Sequence, residues 1–407
     1  MTSQKSNPKT AKKILIADDH IVNRRILVSI LKKEGYEILE AADGDEAIEL
    51  ALRELPDLIL LDIVMPEKDG YEVCSELQRE GRSANIPIIF LSAKTEIEDK
   101  IKGLELGGAD YVTKPFDKGE IIARIRAQLK IRDLTKKLML ANQELVEKQG
   151  LIDEDLKAAA EIQKSLLPIS SLNIDKIDVA WRFMPCQRIG GDIFNMLRLD
   201  ESHWGFYILD VSGHGVPSAL VAVSVSQMMH LPIGFLLKKS IRSSPYYEIT
   251  PPAQVLKMLD QEYPIERFNK YFTMSYLILN TKEGGIRYSN AGHPPPVLVR
   301  ETGTLELLEE GGTIIGMEGV VPFDEGKKQL RFRDKLIMYT DGIVEYQDRN
   351  GTFYGENRFY GELQRLKDKP VSELVDAIID SMMDFGDNNE PHDDISLLGI
   401  DFRESGP

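Results

Sequence analysis

The amino-acid sequence predicts a multidomain chain: a doubly wound α/β domain on a parallel sheet, a helical connector, and an α+β layered domain. Three observations predict it. Short continuous apolar runs alternate with amphipathic stretches from Lys13 to about Lys130, a strand-free stretch with a seven-residue apolar repeat follows, and after Pro168 the strands become alternating. The 407 residues, at ~150 per domain, correspond to about 2.7 domains. An apolar fraction of 42% is enough to pack a core in each.

Fifty basic and 66 acidic residues give a formal charge of −16. Such a balance disfavours generic binding to nucleic acid or anionic membrane, because both depend on surplus Lys and Arg, and it suits metal cations and basic partners. Cys74 and Cys186 lie far apart with no second Cys or His at zinc-ligand spacing. This pattern excludes a disulfide framework and a Cys-based zinc site, and points to a reducing cytoplasm. Residues 1–12 are polar and basic and read as a disordered tail, and Ile14 to Ala17 is too short for a signal-peptide core. Val216 to Leu237 lacks Asp, Glu, Lys and Arg over about the length of a bilayer span. Pro217, Gln227, His230 and Pro232 interrupt it, so it reads as a buried helix and a Pro-broken loop rather than a membrane span.

In the first domain, 13–130, Ile14 to Ala17, Leu58 to Leu61 and Ile86 to Leu91 are continuous apolar runs, as in parallel strands covered on both faces. Between the first two, Val22, Ile26, Leu27, Ile30 and Leu31 recur at helical spacing and stop near Gly35. Ligands in such sheets sit at the carboxyl ends of the strands, which here carry Asp18, Asp19, Asp62, Ser92 and Lys114. Crowded carboxylates stay ionised beside a cation, Mg²⁺ takes oxygen ligands, and a carboxylate can attack phosphorus. Lys114 and Ser92 could then meet the incoming phosphoryl group. Asp19 taken alone is better explained as a helix cap, but five such residues at five strand ends are not.

These residues resemble the response-regulator receiver domain, a flavodoxin- or CheY-like fold. The resemblance rests on Ala17-Asp18-Asp19-His20, Leu61-Asp62-Ile63-Val64-Met65-Pro66 with Asp69-Gly70, Ser92-Ala93, and Asp110-Tyr111-Val112-Thr113-Lys114-Pro115-Phe116. It implies that Asp62 accepts phosphate from a sensor histidine kinase or phosphotransfer protein, and that Asp18, Asp19, Asp62 and the Val64 carbonyl form the Mg²⁺ site. Ser92, Tyr111 and Lys114 would be the switch residues, with Tyr111 following Ser92 inward. Phosphorylation adds a charge of about −1.5 to −2.

Residues 131–168 read as a helical linker. Ile131, Leu138, Leu145, Ile152, Ala159 and Leu166 follow a strict seven-residue repeat, the spacing of a coiled-coil seam. The companion row holds Leu134, Ala141 and Ile162, but Lys148 and Asp155 break it, and Gly150 costs up to ~1 kcal/mol relative to Ala. An amphipathic helix packed on its own chain is the alternative. The expectation adopted is a two-stranded coil pairing two protomers, weak in its middle.

The second domain, 169–404, opens with Ile177, Val179, Trp181 and Phe183 alternating with Asp178, Ala180 and Arg182, a half-buried strand. Further strands are expected at Trp204 to Leu209, Phe272 to Leu279, Ile286 to Ser289, Pro296 to Val299 and Lys335 to Tyr339. Helices are expected at Pro217 to Met229, Pro251 to Glu262, Glu356 to Leu366 and Val371 to Met383. Lys238 to Pro252 reads as a surface insertion or flap. Four acidic turns stand at strand ends: Gly190-Gly191-Asp192, Asp210 to Gly215, Thr340-Asp341-Gly342 and His392 to Ser396. Each alone is ordinary turn chemistry. Converging, they would require metal ions, and two divalent ions ~3.5 to 4 Å apart can share a carboxylate and activate water against a phosphate ester.

In this order the turns resemble the SpoIIE/RsbU branch of the PPM metal-dependent serine/threonine protein phosphatases, an antiparallel β-sandwich flanked by helices. Glu161 to Pro168, Asn290-Ala291-Gly292-His293-Pro294 and Tyr339 to Glu345 belong to the same resemblance. It implies two Mn²⁺ or Mg²⁺ ions held by Asp192, Asp210, the Val211 carbonyl, Asp341 and Asp393, with Asp210 bridging, and Asp394 and Asn195 supporting them. Asn195 departs from the aspartate that many relatives carry there. His214 and His293 are candidates for protonating the leaving oxygen, or are a loop side chain and a turn residue respectively.

The combined expectation is a response regulator whose phosphorylation at Asp62 controls a phosphoserine/phosphothreonine protein phosphatase. By resemblance, its substrate is a STAS-type anti-anti-sigma factor in partner-switching signalling. A phosphatase-like domain that binds without turnover is the main alternative. A diguanylate cyclase is disfavoured because Ile193 stands where Gly-Gly-Asp-Glu-Phe has its second acid, and a DNA-binding output because the C-terminal region is acidic, with Asp376, Asp380, Asp384, Asp387 and Glu390.

Overall fold

The structure, a computed structural model, describes residues 11–93, 101, 103–168, 174, 176–230, 236–242, 244 and 246–403. The chain divides into two compact units between Gln149 and Gly150. In the first, strands β1 (Lys13–Ala17), β2 (Glu37–Ala41), β3 (Leu58–Asp62), β4 (Ile88–Ser92) and β5 (Asp110–Thr113) pair in parallel in the order β2-β1-β3-β4-β5. Leu15, Ala17, Ile59 and Leu61 enter one core cluster, and Ile14, Ile16, Leu58 and Leu60 the other. Both sheet faces are therefore covered, which is why these runs are continuously apolar. Each fully buried Leu or Ile contributes about 1.5–3 kcal/mol.

Helices α1 (Ile21–Lys33), α2 (Gly44–Glu54) and α3 (Gly70–Arg79) cover that sheet. Asp43 caps α2 by accepting from Glu46 N, and Asp69 and Glu72 form a capping box at α3. The Asp69-Gly70 pair after Asp62 thus starts a helix. Gly70 cannot be replaced without collision, since a Cβ there would strike the Asp62 carbonyl.

Helix α4 (Lys118–Ser165) runs 48 residues, and the boundary between the units falls within it. Its first turns bury Ile121, Ile122, Ile125 and Leu129 in the first unit's core. Beyond them, Ile131, Leu134, Leu138, Leu145, Ile152 and Ile162 are each more than half exposed. Leu166, the last residue of the expected seam, packs instead against the second unit's own core.

The second unit carries two sheets. One contains β7 (Ile193–Arg198), β8 (His203–Val211), β11 (Phe272–Asn280), β12 (Gly285–Ala291) and β15 (Gly311–Gly312) in the order β15-β12-β11-β8-β7, with β16 (Gly326–Gln329) also on β12. The other contains β6 (Ile177–Met184), β13 (Val297–Val299), β14 (Leu305–Leu307), β17 (Lys335–Tyr339) and β18 (Ile395–Phe402) in the order β14-β13-β17-β18-β6. Phe194, Phe206 and Tyr276 from the first meet Leu336, Met338, Leu398 and Ile400 from the second in one core cluster. Helices α5 (Val216–Met229) and α6 (Pro252–Glu262) join that cluster through Val221, Val225, Val255 and Leu256. Helix α7 (Ile265–Phe268) is a single turn, while α8 (Glu356–Arg365) and α9 (Val371–Phe385) cover the outer face of the second sheet against Ile337, Tyr339 and Leu397.

Val216 to Met229 is thus a core helix, as its apolar, Pro-led sequence predicts, while residues 231–235 of that apolar stretch lie outside the described residues. Among the described residues no helix is long and apolar enough to cross a membrane. The expected insertion holds a small antiparallel hairpin of β9 (Lys238–Ser240) and β10 (Tyr247–Ile249). The N-terminal tail falls outside the described residues, apart from Ala11 and Lys12.

Candidate functional site

In the first unit, strand ends gather the predicted residues. Lys114 Nζ donates to Asp18 Oδ2 at 2.8 Å and to Asp62 Oδ2. Asp18 is fully buried and is held by His20 N, at 2.9 Å, and by Asn23 Nδ2. Ligand atoms of Asp18, Asp19 and His20 lie within 4.8 Å of one another, so these side chains can converge on one cation. His20 Nδ1 sits 2.8 Å from Asp19 Oδ1, and this hydrogen bond raises the imidazole's pKa. Burial raises the Asp62 carboxyl against the opposing pull of Lys114. Val64 N lies 3.5 Å from Asp62 Oδ1, at the limit of a hydrogen bond. Ser92 and Tyr111 line one small cavity of about 10 Å³ with Phe90, and the Arg124 guanidinium lies 5.4 Å from the Tyr111 ring centre.

In the second unit, antiparallel register brings the four acidic turns to one end of both sheets. Ile193 pairs with Leu209, which sets Asp192 beside Asp210, and Tyr339 pairs with Leu397, which sets Asp341 beside Asp393 and Asp394. Asp192 is buried, and its Oδ2 accepts from Ser396 Oγ at 2.7 Å and Thr340 Oγ1 at 2.8 Å. Its carboxyl is also hydrogen-bonded to Asp210. Asp394 ties the turns together: it accepts from Cys186 N at 2.8 Å and Gly191 N at 2.6 Å. A Cβ at Gly190 would collide with the Asp394 carboxylate, and one at Gly191 would lie 2.7 Å from the Val211 carbonyl oxygen, so both glycines keep the acids close.

The carboxylates repel. Burial, followed by the charges of Asp341, Asp393 and Asp394, pushes Asp210 up to about 8, while burial and then Asp393 push Asp341 up to about 6. Asp192 is raised well above the ordinary carboxylate range by burial and Asp210. Asp393 is raised too, chiefly by burial. Carboxylate oxygens that resist ionising together are the donors a hard divalent cation restores. The residues present therefore fit Mg²⁺ or Mn²⁺.

A pH dependence follows from these shifts. Without metal, Asp341 and Asp210 bind protons more tightly folded than unfolded, where carboxylates titrate near 3.9. The native state then holds the extra protons, and stability falls as pH rises through about 6 and about 8. In chelator, the thermal midpoint is expected to drop between pH 5 and 8.5, and saturating Mn²⁺ should remove most of that drop. Melting curves that are flat with pH in chelator would mean that burial and mutual repulsion do not raise these acids.

Not every expected residue joins the site. Asn195 donates to the Leu166 carbonyl, and its Oδ1 accepts from Met196 N at 2.8 Å. It lies three residues beyond Asp192, an odd spacing that turns it to the opposite face. His293 is buried, shares a 2.8 Å hydrogen bond with Thr273 Oγ1, and is pushed down to about 3 by burial, which keeps it neutral and unsuited to donating a proton from an imidazolium. His214 is exposed, with Nδ1 2.8 Å from Gln187 Nε2.

Several contributors had no assigned role in the sequence. Thr340 and Ser396 lie inside the recognised motifs, but nothing in their spacing reveals that both reach Asp192. Gln163, in the lead-in to Pro168, is buried, and its amide brackets Gly190, donating to the carbonyl at 2.8 Å and accepting from the N–H at 3.2 Å. The last turns of α4 thereby hold the Gly-Gly-Asp turn directly. Cys186 is half-buried beside Asp394, and burial, then the Asp394 and Asp393 charges, pushes its thiol up to about 12.

A parallel-sheet unit with an Asp-Asp-Lys cluster at its strand ends, linked to a β-sandwich with converging acids, defines a response regulator with a PPM phosphatase-type output. The chain belongs to the SpoIIE family: the profile of stage II sporulation protein E matches residues 200–403, half of the chain, and the response regulator receiver domain matches residues 14–126. Among solved structures, the SiaA-PP2C domain of Pseudomonas aeruginosa aligns with a TM-score of 0.52 at 20% identity, covering 63% of this chain and 99% of that one, a likeness of fold. Among curated proteins, "Probable transcriptional regulator ycf27" of Cyanophora paradoxa is 51% identical over 119 residues, 29% of this chain and 48% of that protein. Its namesake in Guillardia theta is 47% identical over 122 residues, 30% of this chain and 47% of that protein. The chain spans about half the length of the curated relatives it matches.

Proposed function

We propose that phosphorylation of Asp62 by a histidine kinase or phosphotransfer protein controls hydrolysis of phosphoserine or phosphothreonine on a protein at the Asp192-Asp210-Asp341-Asp393 cluster. The observation that carries the reading is the convergence of these four acids, from four separate chain segments, into one mutually repelling group. Divalent ions there would neutralise the phosphate and make water a nucleophile near neutral pH. Thr340 and Ser396 orient Asp192, Asp394 holds the Gly-Gly-Asp turn, and Val211 offers its carbonyl. In the first unit, Asp18 and Asp19 would hold Mg²⁺ with Asp62, and Lys114 would pair with the phosphoryl group.

The proposed substrate is a phosphoserine-bearing STAS-type anti-anti-sigma factor, and the proposed setting is the cytoplasm. The test is phosphate release from such a protein and from p-nitrophenyl phosphate with Mn²⁺, with and without a small phosphodonor. Tight metal binding with no turnover on either substrate would favour the binding-only alternative. Pairing of two copies through the exposed row of α4 belongs to the same proposal. Sedimentation at tens of micromolar is expected to show a dimer, and monomers alone, with and without phosphodonor, would remove it.

A further inference from the structure

The candidate metal cluster of the second unit contains an atom that a site for Mg²⁺ or Mn²⁺ does not call for. Cys186 Sγ and carboxylate oxygens of Asp393 and Asp394 all lie within 4.8 Å of one another. Asp394 is buried and fixed by the N–H groups of Cys186 and Gly191, whereas Asp393 is exposed and Cys186 half-buried, so the group is rigid on one side and open on the other. Local spacing could not show this, because Asp394 lies 208 residues beyond Cys186. No second Cys or His accompanies Cys186 in this group; its companions are the two acids of the turn that leads into β18.

Sulfur changes the selectivity of such a group. Thiolate favours zinc-like ions, while carboxylate and water suit Mg²⁺ and Mn²⁺. Tetrahedral Zn²⁺, with bonds of about 2.0 Å to oxygen and about 2.3 Å to sulfur, sets its donors about 3.5 Å apart. Donors already within 4.8 Å start near that spacing, and with Asp394 fixed the closure falls to Cys186 and Asp393.

We propose that Cys186, Asp393 and Asp394 form a site for a thiophilic divalent cation of the Zn²⁺, Cd²⁺ and Co²⁺ class. On binding, a metal–sulfur bond replaces the S–H bond and the proton leaves to solvent, so one dication enters and one proton is released. The site shares Asp393 with the proposed catalytic pair. Binding therefore withdraws that carboxylate from Mn²⁺, and thiophilic ions act as inhibitors rather than activators. Only this inhibitory consequence rests on the phosphatase reading.

The test titrates the full-length protein with Cd²⁺ and follows thiolate-to-metal charge-transfer absorption in wild type, Cys186→Ala, Cys186→Ser and Cys74→Ala. Wild type and Cys74→Ala are expected to develop the band at one equivalent, and both Cys186 variants to lose it. Zn²⁺ should bind the Cys186 variants at least about tenfold more weakly, the lower bound for losing a group that supports a metal. A band that persists in Cys186→Ser, or none in wild type, overturns the proposal. If Cys186→Ala does not fold, the near-isosteric Cys186→Ser decides. Should no variant hydrolyse phosphate with Mn²⁺ while the band behaves as expected, the phosphatase reading fails and the thiophilic site stands.

Discussion

Asp210→Asn is expected to abolish Mn²⁺-dependent phosphate release while leaving the fold intact. Asp210 is hydrogen-bonded to Asp192 and feels the charges of Asp341, Asp393 and Asp394, so four other acids act on it. The amide keeps its shape but removes the charge needed to hold cations. Metal-ion stabilisation of a phosphoryl transition state amounts to several kcal/mol, and at 1.36 kcal/mol per decade the rate should fall by about 10³-fold or more. Stability should move the other way. In chelator the variant is relieved of a buried carboxylate raised to about 8, so it should melt higher than wild type at pH 8 and lose much of the pH dependence. Opposite signs in activity and stability distinguish a lost ligand from a damaged fold. Turnover within tenfold of wild type, with unchanged Mn²⁺ affinity by calorimetry, would refute the placement of metal at this residue.

Asp62→Asn is expected to eliminate labelling of the protein by a small phosphodonor and to reduce the phosphodonor's effect on phosphatase rate to none. Asp62 shares Lys114 with Asp18, and a phosphoryl group there would add a charge of about −1.5 to −2 against that ammonium. The neutral amide cannot accept the group, and it leaves Lys114 paired with Asp18 alone. Basal turnover, read on p-nitrophenyl phosphate, tests whether the second unit works by itself. If Asp62→Asn still responds to phosphodonor, control does not run through Asp62, although the metal cluster would be untouched by that result.

Much of this architecture is legible in the sequence where one physical rule acts alone. The parallel strands announce themselves because burial on both faces leaves no polar alternation, and Lys335 to Tyr339 is found to the residue for the same reason. β18 is harder: Ile395–Phe402 is apolar enough for an interior strand but follows an acidic turn that draws the eye to chemistry instead of pairing. β7 is obscured likewise by Gly190-Gly191-Asp192. The carboxylates could be named from their turns, but their helpers could not. Thr340 reaches Asp192 from 148 positions away and Ser396 from 204, distances that no local period encodes. Family resemblance places Asn195 with the group, at a position where many relatives carry an aspartate, and strand geometry turns it to Leu166 and Met196 instead. Gln163 lies in the Glu161 to Pro168 lead-in without a role of its own there, and its contact with Gly190 depends on where the helix ends.

Asp394 bears on how the protein comes into being. Its carboxylate grips Gly191, a partner made 203 residues earlier, and its own strand, β18, pairs with both β17 and β6 in the second sheet. On the ribosome, the Gly-Gly-Asp turn and Asp210 therefore emerge long before the residues that can draw them together. Until β18 is added, the nascent chain has a sheet with its interior strand missing and a metal cluster without Asp393 and Asp394. A product cut short anywhere before that strand would lack Asp393 and Asp394 and the pairing that closes the second sheet, so under the proposed function it would carry no complete metal cluster.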